Sequence, residues 1–154
     1  MCRLGWHRVL FAARWMAILL CAVMFVHCKR ADNYVISNDV NVRQWDDRVE
    51  IEFEHGQERE LCDMDIVLHV NRTFKHREVA FEITLFTPDS LRYSEFISSE
   101  VDVEWGPTAR YYHDLSIEYR RDVELAKEGS YRVAIRPLYS LSGVESAGIN
   151  FRMK

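Results

Sequence analysis

Val49-Glu50-Ile51-Glu52-Phe53-Glu54 sets three apolar side chains in strict alternation with three glutamates. Successive side chains of an extended chain point to opposite sides. The run therefore carries one apolar and one acidic face, the pattern of a half-buried antiparallel strand. The period repeats downstream. Met64, Ile66, Leu68 and Val70 alternate with Asp63, Asp65, Val67 and His69. Val79, Phe81, Ile83 and Leu85 follow, closed by the turn Thr87-Pro88-Asp89-Ser90. Leu91–Ile97, Ser99–Trp105, Tyr131–Arg136 and Gly148–Met153 are the remaining expected strands, divided by breaks at Gly56, Pro88, Gly106-Pro107, Gly129 and Gly143. Residues 109–127 fit two periods. Leu115, Tyr119, Val123 and Ala126 are spaced for a helix, whereas Leu115, Ile117 and Tyr119, then Val123 and Leu125, alternate as strands. Two short strands bent near Arg120-Arg121 are the expectation. Seven or more short strands with little helix predict an all-β fold, an antiparallel β-sandwich with a shared core.

Charge divides the chain of 154 residues. The first 27 carry Arg3, Arg8 and Arg14 and no acid, while the rest hold 17 basic against 24 acidic residues. The total of −4 is thus +3 in a leader and −7 in a following domain. An acidic domain lacks the basic face that neutralises phosphates, so no nucleic-acid partner is expected.

The leader reads as an N-terminal signal helix. Trp15 to Val26 is a run of twelve apolar residues after the arginines. Roughly 20 are needed to span a bilayer, so the length suits a signal peptide better than a permanent anchor. The run stops at His27-Cys28 and the chain turns polar at Lys29-Arg30. A cysteine at that place resembles a bacterial lipobox, with His27 and Phe25 standing where a small residue and Leu are usual. This implies lipidation at Cys28 and a membrane contact made through lipid. The expected organisation is a lipoprotein signal peptide over 1–27, a lipid-anchored tether over 28–44 leading into a first short strand, and a β-sandwich over 45–154. Cys62 would be the sole other thiol after processing, which leaves no intramolecular disulfide.

Residue types that carry catalysis are present without a pattern that gathers them. His55, His69, His76 and His113 show no HxH or HExxH spacing and read as scattered surface histidines. No GxSxG turn, calcium loop or Gly-rich phosphate loop occurs. The rows Glu50/Glu52/Glu54 and Asp102/Glu104 read as solvated strand faces. No catalytic residue, metal or cofactor is expected. Two features suit binding instead. Trp105, Tyr111 and Tyr112 flank the Gly106-Pro107 turn as an exposed apolar patch. Arg72, Lys75, His76 and Arg77 form a compact basic loop that could dock an acidic surface. Trp105, Tyr111, Tyr112, Arg72 and Arg77 are therefore the candidate partner face. A rival reading, a carbohydrate-binding sandwich, would use Trp45, Trp105 or Tyr112 as stacking platforms.

The whole pattern resembles one family. The leader ending in Cys28, then Tyr34, Trp45 and Val49–Glu54, resembles the N-terminal part of the GldH-type gliding-motility lipoproteins of Bacteroidetes. Asp65–Arg72, Thr84–Asp89, Trp105-Gly106 and Tyr119-Arg120 continue the likeness. Gly129–Ile135 leads to Leu141–Ile149, where Gly143-Val144-Glu145-Ser146-Ala147-Gly148-Ile149 is similar to the family's C-terminal Gly-(Ile/Val)-Glu-x-(Val/Ala)-Gly-(Ile/Leu) signature. Phe74-Lys75-His76-Arg77 departs from the family's Tyr-Pro-Tyr-Ser-Asn-like turn. The resemblance implies a non-catalytic cell-envelope lipoprotein, periplasm-facing, that works as an accessory or scaffold with other envelope lipoproteins of the gliding and secretion-linked machinery.

Overall fold

The alternation that opens the domain is strand β2 (Val49–His55): Val49, Ile51, Phe53 and His55 are buried, while Glu52 and Glu54 stand in solvent. A computed structural model describes residues 33–56, 60–105 and 111–154. The expected signal helix, Cys28 and the Gly106-Pro107 turn lie outside the described residues. Around β2 are β1 (Asn33–Asp39), β3 (Glu60–Asn71), β4 (Glu78–Phe86), β5 (Arg92–Glu100), β6 (Tyr112–Leu125), β7 (Gly129–Pro137) and β8 (Val144–Met153). They pair antiparallel in two four-stranded sheets, ordered β1-β8-β3-β6 and β2-β7-β4-β5. The β-sandwich read from the sequence is the fold.

Inward residues of both sheets make one core. Met64, Ile66, Leu68, Ile149 and Phe151 come from the first sheet, and Ile51, Phe81, Ile83, Val133 and Ile135 from the second. Phe53 and Phe151 bridge the two layers with ring centroids 4.3 Å apart. Burying each such side chain stabilises the fold by about 1.5–3 kcal/mol, an upper figure because unfolded chains already bury some apolar surface.

Three expectations need correction. Residues 28–44 are not tether throughout, since β1 already pairs along β8 from Asn33↔Arg152 to Asp39↔Ser146. Its apolar signal is weak because only Tyr34 and Ile36 pack against the core, and both stay half-buried. Ser99–Trp105 is not a separate strand: Ser99 and Glu100 end β5, and residues 101–105 lie outside any strand. Val101 and Val103 are half-buried between exposed Asp102 and Glu104, so the alternation is real, but β4 has ended and offers no ladder. Residues 112–125 form one strand rather than two. Its register against β3 is irregular between Cys62/Met64 and Met64/Asp65, opposite the expected bend. There Asp122 adopts a φ of 53°, and its N–H donates to Asp63 Oδ1 at 2.9 Å.

Candidate functional site: an aromatic and cationic corner

The site begins where β3 runs out. The Asn71 side chain accepts from Thr73 N–H at 2.8 Å, folding the chain back in an Asx turn. Its amide donates to Glu145 Oε1 at 2.6 Å, and the Asn71 N–H donates to the Gly143 carbonyl at 2.8 Å. Phe74, in the middle of the basic loop, is fully buried and pins the loop to the core. Arg72, Lys75 and Arg77 consequently face solvent.

Across the corner stand Tyr111 and Tyr112, 65% and 52% exposed. The Arg72 guanidinium lies 5.6 Å from the Tyr111 ring centroid, and the Lys75 ammonium 6.0 Å from that of Trp105. Trp105 is half-buried and meets His113 edge-on at 4.8 Å. Tyr112 stacks on His69 at 5.0 Å, and His69 Nδ1 lies 2.6 Å from Asp114 Oδ1. Each exposed cation–ring contact contributes about 0.5–1 kcal/mol, enough to orient the side chains. The two stretches singled out from the sequence therefore meet in space, with Trp105, Tyr111, Tyr112 and Arg72 together.

Arg77 does not join them. It is exposed and lines a groove with Glu78, Glu100, Val101 and Asp102. His69 and His113, which the sequence reading left aside, belong to the corner together with Lys75 of the basic loop. The registers His69↔Asp114 and Val70↔His113 unite the two histidines, and only strand pairing reveals that. His76 turns inward, where its Nε2 accepts the Ser142 N–H at 3.1 Å. Among the described residues no group of three or more His, Cys, Asp or Glu is placed to hold a metal ion.

Burial removes Trp45 from the rival carbohydrate-binding reading. Its ring is 2% exposed and packs on Phe81 at 5.8 Å, so it is core and no stacking platform. Within the polar setting Gln44-Trp45-Asp46-Asp47 the burial depends on a bridge to Leu141 far along the chain.

Two charge clusters hold the sheets that present the corner. Asp65, on β3, is buried between Arg121 at 2.7 Å and Arg152 at 2.9 Å, which clamps β6 and β8 to β3. Glu95 of β5 accepts hydrogen bonds from Tyr119 Oη at 2.7 Å and Arg120 Nε at 3.0 Å, tying the edges of the two sheets together. Partial burial pushes Glu95 up, but Arg120 and Tyr119 outweigh it and hold the carboxyl below its ordinary value. Burial, then the neighbouring Glu95, push the Tyr119 hydroxyl well above the usual phenol range. These groups are structural. The chain matches no protein-family model and no curated protein.

Proposed function

We propose that this protein is a non-catalytic cell-envelope lipoprotein, anchored through Cys28, that acts as an accessory or scaffold component of the gliding and secretion-linked kind by binding another envelope lipoprotein. The observation that carries the binding role is the corner, where exposed Tyr111, Tyr112 and Arg72 and half-buried Trp105 meet from separate segments. Aromatic and arginine side chains are the residue types that dominate protein interfaces. The leader, the apolar run before Cys28 and the family resemblance support the anchoring half of the reading. Lipid attachment confines the domain to a surface, which raises the effective concentration of a partner held on the same membrane. A modest interface then suffices.

The test is recovery of partners from the membrane fraction with wild-type, Cys28→Ala and Trp105→Ala/Tyr111→Ala proteins. The wild type should retain an envelope partner, the corner variant should lose it, and Cys28→Ala should leave the membrane fraction. Identical partner sets from wild type and Cys28→Ala would refute the anchoring mechanism. Recovery of no envelope partner by the wild type would refute the scaffold role.

A further inference from the structure

Strand β5 is an edge of the second sheet, and among the described residues it pairs with β4 alone. Its register with β4 runs without a shift from Glu78↔Glu100 to Phe86↔Arg92. Beyond each end, Val101 N–H donates to the Arg77 carbonyl at 2.9 Å and Thr87 N–H to the Leu91 carbonyl at 3.1 Å. Odd-numbered residues of β5 therefore turn their backbone groups toward β4. Hydrogen bonding alternates along an antiparallel strand, so Arg92, Ser94, Phe96, Ser98 and Glu100 turn theirs to the free edge. The same five side chains are exposed, and Phe96 is 69% exposed, more than any other large hydrophobic residue described.

Read about Phe96, this row complements itself when reversed: Arg92-x-Ser94-x-Phe96-x-Ser98-x-Glu100. We propose that β5 pairs antiparallel with β5 of a second copy about a two-fold axis at Phe96, joining two four-stranded sheets into one continuous sheet. Arg92 then faces Glu100 of the other copy, Ser94 faces Ser98, and Phe96 faces Phe96. All three pairings are of types that stabilise neighbouring strands. The backbone groups aimed outward on one copy meet those of the other in register. The Glu100 carbonyl already accepts the Ser99 hydroxyl at 3.2 Å, and its second lone pair stays available.

The charges of β5 favour this occupant. Glu100 stands opposite Glu78 on β4, and among the described residues it has no ion-pair partner. Arg92 likewise makes no ion pair there and lies 5.9 Å from the Phe86 ring. Eight residues of extended chain, about 26 Å, keep Arg92 and Glu100 of one copy from meeting. A second copy brings them together and sets a cation beside the Glu78–Glu100 repulsion. The opposite edge of the sheet behaves differently: Arg48 and Arg132 pair with Glu50, but self-pairing of β2 about Glu52 would still set glutamate against glutamate at each of positions 50, 52 and 54. This interface is separate from the corner and does not depend on the proposed function.

The full-length chain in mild detergent, with Phe96→p-benzoylphenylalanine, tests the pairing by irradiation. A covalent dimer should form, with its adducts mapping to residues 94–98 of the second copy. Arg92→Glu or Glu100→Arg places like charges opposite each other twice per dimer and should cut the yield about tenfold. The double exchange Arg92→Glu/Glu100→Arg should restore it, as should mixing the two single variants. All these positions are exposed, and circular dichroism should be unchanged. Absence of a dimer, adducts mapping elsewhere, or a yield indifferent to charge reversal would overturn the proposal.

Discussion

Gly143→Ala should be among the most damaging single-methyl additions to this fold. Gly143 has a φ of 79°, in the left-handed region, which costs alanine about 1–2 kcal/mol. The added Cβ would lie 2.2 Å from the Phe74 nitrogen and 2.7 Å from its Cα. Both are backbone atoms of a loop anchored by a fully buried ring, so no flexible side chain can swing aside. Relief means moving the loop. That weakens the Asn71 N–H bond to the Gly143 carbonyl, worth about 1 kcal/mol, and lifts Phe74 part of the way out of the core. Complete deletion of a buried Phe costs about 3–5 kcal/mol, so a partial withdrawal brings the expected total to about 3–5 kcal/mol. Against a domain stability of about 5–15 kcal/mol this is a large fraction. Urea unfolding followed by far-ultraviolet circular dichroism should show a lowered midpoint at constant slope. Gly56→Ala is the control: nothing lies within 4 Å of its added Cβ, and it should stay within about 0.5 kcal/mol of wild type. A Gly143→Ala loss below about 1 kcal/mol would refute the argument from close approach.

The remaining tests address charge and the buried thiol. Asp65→Asn removes the carboxylate that joins Arg121 and Arg152; because both arginines keep some solvent contact, it should cost about 1–3 kcal/mol, less than breaking a wholly buried pair. Asp63 is held below its ordinary value by the Asp122 N–H and then Lys154, Asp89 by Lys127 and then Thr87, and Glu95 by Arg120 and Tyr119 against its burial. As pH falls the unfolded chain takes up these protons first. The stability they supply is therefore complete above about pH 5 and is lost as pH drops through the lower folded values. Urea midpoints measured down the acid limb should fall, and Glu95→Gln should make that fall shallower. Cys62 is fully buried, so maleimide labelling mapped by peptide mass should modify it only as fast as the sandwich opens.

Strands with one face fully buried in the core were legible because burial prints a period of two. Ile51 and Phe53 on β2, and Ile66 and Leu68 on β3, announce their faces without knowledge of a neighbour. Features set by distant pairing were not legible. Trp45 sits in a polar stretch and is buried only because Leu141 meets it. Phe74 lies inside a cluster of cations that reads as surface, while its ring is the pin that makes those cations protrude. Val101 and Val103 show the reverse case, alternation without a ladder. The corner was half legible. Its aromatic and basic halves stood out by composition, but their meeting, and the recruitment of His69 and His113, depends on the register of β3 against β6.

The placement of β1 has a mechanical consequence. β1 and β3 each run antiparallel to β8, so Asn33 enters the first sheet at the end where β3 begins. The aromatic and cationic corner lies at the other end, where β3 finishes at Asn71. A pull on the chain ahead of Asn33, resisted by a partner gripping the corner, is directed along the strands. It loads the β1–β8 seam in shear, so the pairs from Asn33↔Arg152 to Asp39↔Ser146 share the tension instead of peeling apart one by one. If the proposed anchor holds the chain ahead of Asn33 and the proposed partner holds the corner, the load between them runs along the strands of the first sheet.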